Sequence, residues 1–204
     1  MIFVLLFEKP KDIIIREYRR PNISMLYPQV AGHENVNANM LMNIAIRNAV
    51  MDLAKSLQQL DLPTTIDGSF EIKNNQRGIF SLLLIGFAEF GGAHPMTKTL
   101  SLTMDNKTGE NYPLSRLFLP GYMEIINKEI QRQITLREIP ILDEFSGISP
   151  SQDYYVSDHT LIIYYQLYEL SPYYIGFPYF PIPLYMLSSV IPQDGILDRL
   201  NYFI

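Results

Sequence analysis

The sequence predicts an α+β fold of two small packed domains, 1–104 and 105–204, each an antiparallel-rich sheet carrying one amphipathic helix. Three observations predict it. Two segments repeat apolar residues at three- and four-residue steps, and short β-branched or aromatic runs bounded by turn residues fill much of the rest. No repeat, low-complexity tract or polar linker separates the halves, so they are expected to share an interface.

In chain order, the apolar run from Ile2 to Phe7 reads as a first strand. It lacks a basic leader and a small-residue cleavage site and is too short to span a bilayer, although a trimmed remnant of an export signal fits it as well. Residues 12–18 and 23–27 are β-rich and split by a turn at Arg19, Arg20 and Pro21, after which the chain is expected to leave the strand through Pro28 and Gly32. Over 37–60 Met42, Ile46, Ala49, Val50, Leu53 and Leu57 form one apolar stripe, which makes a surface helix capped by Asn35 or Asn37. A strand over 69–73 is expected to turn at Asn74 and Asn75, and 79–90 reads as a strand covered on both faces. Residues 97–104 alternate, with Leu100, Leu102 and Met104 predicted buried and Thr97, Thr99, Ser101 and Thr103 predicted wet. Asp105 to Gly109 carries the Asx and glycine chemistry of a turn.

The second half begins with a helix from about Gly121 to Arg137, set by Tyr122, Ile126, Ile130 and Ile134. Residues 161–168 are β-favouring or aromatic apart from one Gln, which predicts a strand, and Pro172, Pro178, Pro181 and Pro183 then predict irregular backbone.

Composition narrows the function classes. With 48% apolar and 18% charged residues the chain folds, and its net charge of −5 argues against nucleic acid. The absence of cysteine removes disulfides, thiolate metal sites and cysteine nucleophiles. No stretch is long and apolar enough for a membrane span. The three histidines, His33, His94 and His159, sit at turns more than sixty residues apart, with no spacing that pairs two ligands on one helix, so neither a metal site nor a cofactor is expected. Nucleophile-elbow, Walker and dinucleotide fingerprints are missing, and Lys107, Thr108 and Gly109 match a β-lactamase box only by chance, since no Ser-x-x-Lys accompanies them.

Two constellations stand out. Glu89 is a carboxylate in an apolar strand, five positions before His94 in the Gly-Gly-Ala-His-Pro loop. As an acid/base pair the two would serve a hydrolase; the plainer reading makes Glu89 a structural carboxylate bonded to the following glycine-rich loop or one at an exposed strand end, with Gly91 or Gly92 in a conformation open mainly to glycine. Nine of fourteen tyrosines fall in 154–185, where they either roof the core or form a recognition platform.

The stretches YPQVAG, GIFSLLLIGFAEFGGAHPMTKTLSLTMDNKTGENYPLSRLF and YYVSDHTLIIYYQLYELSPYYIGFPYFPIPL together resemble a tandem of bacterial domains of unknown function. That tandem forms the extracytoplasmic, lysozyme-binding part of the anti-sigma-V factor and the non-catalytic N-terminal part of some secreted peptidoglycan deacetylases. Its most specific pieces here are Gly91 to His94, Asp105 to Gly109 and Tyr168 to Tyr173, and it covers about 11–104 and 105–190. The resemblance implies an α+β fold, an extracytoplasmic setting and a non-catalytic role in binding a lysozyme-like protein or a peptidoglycan-type glycan. The ligand surface is then expected at Tyr168, Glu169, Tyr173, Tyr174 and His94. The alternatives are a hydrolase using Glu89 and His94, or a structural subunit that self-associates through the same aromatic surface. No sigma-binding segment or deacetylase domain is read in these 204 residues.

Overall fold

The computed structural model describes residues 9–59, 62–91 and 94–201, so the strand expected at Ile2 to Phe7 lies outside the described residues. Five strands form the first sheet in the order β1-β2-β3-β4-β5: β1 Asp12–Arg20, β2 Ile23–Ala31, β3 Thr65–Gln76, β4 Ile79–Glu89 and β5 Met96–Asp105. Neighbours are antiparallel except β2 and β3, which run parallel over Ile23 to Met25 only. The second sheet is antiparallel, β6 Tyr154–Ser157, β7 Thr160–Tyr164 and β8 Tyr179–Pro183.

Helix α1, Val36–Leu57, connects β2 to β3 and buries its predicted stripe against Phe80, Leu82, Leu84, Leu102 and Met104 of the first sheet. Asn35 caps it by accepting from the Ala38 N–H, and the Asn35 amide donates to the Lys107 carbonyl in the turn after β5. Gly109 in that turn has φ +76°, and a Cβ there would lie 2.5 Å from the Ala38 carbonyl oxygen, so only glycine lets the turn seat on the helix start. Helix α2, Tyr122–Leu136, buries Tyr122, Ile126, Ile130 and Ile134 in a second core with Val156, Leu161, Ile163, Phe180 and Ile182. A short helix α3, Asp198–Asn201, returns to the first sheet, where the Arg199 guanidinium binds both carboxylate oxygens of Asp105 at 2.8 and 3.1 Å. No described helix is long and apolar enough to cross a membrane.

Several local expectations are corrected. β2 continues through Pro28 to Ala31, with Pro28 opposite Ile15. β3 runs through Asn74 and Asn75 with a bulge at Lys73, and the turn falls at Arg77 and Gly78, because the Asn74 amide folds back onto the Gln76 and Ile79 carbonyls. β7 stops at Tyr164, since Tyr168 takes a left-handed conformation at φ 66°. Pro181 and Pro183 sit inside β8, an edge strand where a missing N–H removes nothing from the ladder.

The most consequential correction concerns β5, whose predicted wet face is the junction with the second sheet. Thr99 and Thr103 are buried; Ser101 donates to the Tyr154 carbonyl, and Tyr164 donates to Ser101 at 3.1 Å. Ser81 on β4 bonds Thr103 at 2.9 Å and accepts from the Val156 N–H at 3.1 Å. A hydroxyl-lined face reads as solvent-facing in sequence, yet here hydroxyls supply the partners that the second sheet requires.

Candidate functional site

At the Glu89 end of β4 the junction opens, and two loops distant in sequence meet. One is the β4–β5 connection, in which Gly91 at φ +71° turns the chain and His94 lies exposed, its Nδ1 3.1 Å from the Pro95 carbonyl oxygen; Gly92 is outside the described residues. The other is the β7–β8 connection. Pro172 starts a one-turn helix over Tyr173–Ile175, and Gly176 at φ +76° ends it.

The loops join through rings. His94 packs on Tyr173 with centroids 4.9 Å apart and planes tilted by 34°, and Tyr173 stacks on Tyr168 at 5.4 Å and 30°. The Tyr173 hydroxyl donates to the Pro95 carbonyl at 3.4 Å, which ties the ladder to the first sheet. Tyr168 is exposed, and Tyr174 is 76% exposed, the most exposed large apolar or aromatic side chain of the described residues. Such rings offer rigid, partly apolar faces with polar tips at low entropic cost.

Beside the ladder, Gln166 organises a pair of carboxylates. Its side-chain amide donates to Asp153 at 2.6 Å and to the Thr99 carbonyl at 2.9 Å, its side-chain oxygen accepts from the Thr99 N–H at 3.2 Å, and its backbone N–H donates to Glu169 at 2.7 Å. The side-chain amide thus caps the free edge of β5 while holding Asp153, and the backbone N–H of the same residue holds Glu169. Burial pushes the Asp153 carboxyl up, partly offset by the Gln166 bond. Glu169 is also pushed up, by its surroundings first and by the Asp153 charge, against the Gln166 N–H and Gln152. Two buried hydroxyls of the same loop, Tyr165 OH and Ser171 Oγ, have no partner among the described residues.

The structure therefore brings His94, Tyr168 and Tyr173 into one ladder and sets Glu169 at its base through Gln166, with Tyr174 next to it and facing solvent. Glu89 stands exposed at the end of β4, and among the described residues the one hydrogen bond of the His94 ring is to Pro95. Asp153 and Gln166 were not singled out from sequence. The single polar residue in the apolar run 161–168 was the available signal for Gln166. Among the described residues no three His, Asp or Glu side chains converge to hold a metal ion.

Residues 115–185 match a protein family described as of unknown function, DUF3298. The chain is 30% identical over 112 residues to the anti-sigma-V factor RsiV of Bacillus subtilis, an alignment covering 48% of this chain and 39% of that protein. It is 27% identical over 161 residues to the esterase Rv3036c of Mycobacterium tuberculosis, covering 74% of this chain and 68% of the other. Among solved structures, a DUF3298 family protein of Pseudomonas aeruginosa PAO1 superposes with a TM-score of 0.67 at 12% identity, over 91% of this chain and 95% of that one. A member from Bacteroides fragilis gives 0.64 at 12% identity, over 96% and 97%. At that identity these two show the fold alone. The matched segment holds Asp153, Gln166, Tyr168, Glu169, Tyr173 and Tyr174, whereas His94 is contributed from outside it. The candidate site thus joins the segment that matches DUF3298 to the first sheet, in a chain whose fold resembles that of solved DUF3298 proteins.

Proposed function

We propose that this chain is a non-catalytic, extracytoplasmic binding module of the bacterial envelope, and that its ligand surface is the ladder of His94, Tyr173 and Tyr168 with Tyr174 and Glu169. The carrying observation is the convergence of two loops, 78 residues apart at the Tyr173 to Pro95 hydrogen bond, into a stacked array with an exposed outer ring. An array built across a domain junction is preorganised, so a ligand orders few side chains on binding. Ring faces pack against sugar C–H groups or partner side chains, while the hydroxyls and Glu169 supply directional contacts. Similarity to an anti-sigma factor favours a protein ligand, a lysozyme-like one by the resemblance above, and a peptidoglycan-type glycan suits the same surface.

The test immobilises the full chain and measures binding of two probes, lysozyme and soluble peptidoglycan fragments. Binding of either probe that weakens in Tyr168→Ala and Tyr174→Ala supports the reading. Binding of neither, or binding that both variants leave unchanged, removes the ladder as the ligand surface.

Similarity to an esterase motivates one competing reading, hydrolysis with Glu89 and His94 as an acid/base pair. Hydrolysis of p-nitrophenyl esters by the wild-type chain, lost in both Glu89→Gln and His94→Ala, would replace the binding module with an enzyme. A rate equal to buffer leaves the binding reading in place.

A further inference from the structure

A second surface lies on the far side of α1 and has no part in the ladder. The parallel pairing of β2 with β3 ends at Met25. Beyond it, the backbone of Val30 is taken by a helix side chain: its N–H donates to Asn43 Oδ1 at 2.8 Å and its carbonyl accepts from Asn43 Nδ2 at 2.9 Å. These bonds fasten the end of β2 to α1, which also packs on Ile23, Met25 and Val30. Two hollows of about 610 and 670 Å³ follow one another along the helix between it and the hairpin.

The helix wall is a second stripe, Val36, Met40, Ile44, Arg47, Met51 and Lys55, at steps of three and four residues and turned away from the buried stripe. Val36, Met40, Ile44 and Met51 are between 41% and 62% exposed, which is unusual for four large apolar residues in one row. The hairpin wall is the face on which Arg16, Tyr18 and Arg20 alternate, with Tyr27 opposite Arg16. Charged groups facing the groove are Arg16, Arg20, Arg47 and Lys55 against Asp52 alone, on a chain whose net charge is −5. Arg47 and Lys55 have no hydrogen-bond or ion-pair partner among the described residues.

We propose that this groove docks an acidic amphipathic helix of a partner protein. A shallow trough between a helix and a hairpin, with apolar anchors at helical spacing, suits helix-in-groove recognition. The cationic rim selects acidic flanks and disfavours basic ones. A second copy is disfavoured, because the exposed face of α2 mixes Glu124 with Lys128 and Arg132 and offers no acidic apolar row.

The test uses the full chain and a labelled 18-residue helical peptide with Leu at positions spaced three and four apart and Glu on both flanks. A control peptide carries Lys for every Glu. Fluorescence anisotropy is expected to show binding of the acidic peptide alone, weakening with salt. Arg47→Glu and Met40→Asp, both at exposed positions, are each expected to weaken it about tenfold or more. Tyr173→Ala is expected to leave it unchanged. Equal binding of both peptides, no binding of the acidic one, or insensitivity to both groove variants overturns the proposal. So does phosphatidylglycerol vesicle binding, or dimerisation in ultracentrifugation, that Met40→Asp abolishes while the peptide does not bind.

Discussion

The face that β4 and β5 turn toward the second sheet has two ends of different character. At the end where Ile79 pairs with Asp105, the junction is closed: Asp105 is held by Arg199 and by the Lys107 N–H, and Tyr154 is buried with its hydroxyl bonded to the Tyr112 carbonyl. At the end where Phe87 pairs with Thr97, the same face is open: Phe87 and Glu89 are exposed, and Gln166 holds two acids next to a ring ladder. Burial pushes the Asp105 carboxyl up, but Arg199 and the Lys107 N–H outweigh it and hold it below its ordinary value, whereas Asp153 and Glu169 sit above theirs. One end is built for stability. The other carries strained electrostatics and exposed aromatics, a combination that folding does not require and that ligand surfaces use.

The largest expected effect is at the closed end. Tyr154→Ala removes a buried ring and its bond to the Tyr112 carbonyl and is expected to cost about 3–5 kcal/mol, read as a fall in denaturant midpoint without a change of slope. A loss as small as that of an exposed tyrosine would erase the contrast between the two ends.

Next in size, Arg199→Met leaves a buried carboxylate without its cation, and the expected cost is about 3 kcal/mol at neutral pH, the low end because Arg199 keeps some water contact. Sign follows from linkage. Asp105 is depressed, so its stabilisation is fully present above the unfolded value near ~3.9 and is lost as pH falls through the lower folded value. The variant is therefore expected to lose stability at neutral pH and to converge on wild type in strong acid. A constant difference across that range contradicts the assignment.

Gln166→Ala tests whether the hub matters. It leaves the Thr99 N–H and carbonyl on the β5 edge without their side-chain partner, at an expected cost of about 1–3 kcal/mol. It also frees Asp153, while Glu169 keeps the backbone N–H of residue 166, so affinity at the ladder is expected to fall only as far as Asp153 supports it. Stability unchanged within a few tenths would show that water replaces the amide completely.

The smallest effect has the opposite pH sign. Asp153 and Glu169 have raised values, so the folded state holds their protons longer, and stability falls as pH rises from the unfolded values near ~4 through the raised ones. Asp153→Asn is expected to flatten that fall while changing stability little at low pH. A steeper fall in the variant would show that a group other than Asp153 sets this pH dependence.

How much of this was legible in sequence depended on how local the cause was. The α1 and α2 stripes, an asparagine cap at one of Asn35 and Asn37, and the Asp105 turn could be read because each is set by residues within a few positions. The hydroxyl face of β5 was misread as wet, since Thr and Ser alternate identically whether they meet water or the polar backbone of another sheet. The end of β7 was misplaced because Tyr168 adopts a left-handed turn that its ring gives no reason to expect. His94, Tyr168, Glu169, Tyr173 and Tyr174 are expected at a ligand surface only through the family resemblance. The stacking of His94, Tyr173 and Tyr168 across loops, and the bonds of Asp153 and Gln166 beside it, are long-range facts that no periodicity encodes.

If the open end is a binding surface and not part of the core, Tyr173→Ala weakens ligand binding and leaves the fold intact. Measured for thermal midpoint and for affinity toward whichever of lysozyme or peptidoglycan fragments binds the wild type, the variant is expected to raise Kd by the equivalent of about 1–3 kcal/mol while the midpoint moves by less than about 3 °C. A variant that unfolds many degrees lower, or that binds as tightly as wild type, would assign Tyr173 to the core or remove it from the ligand surface.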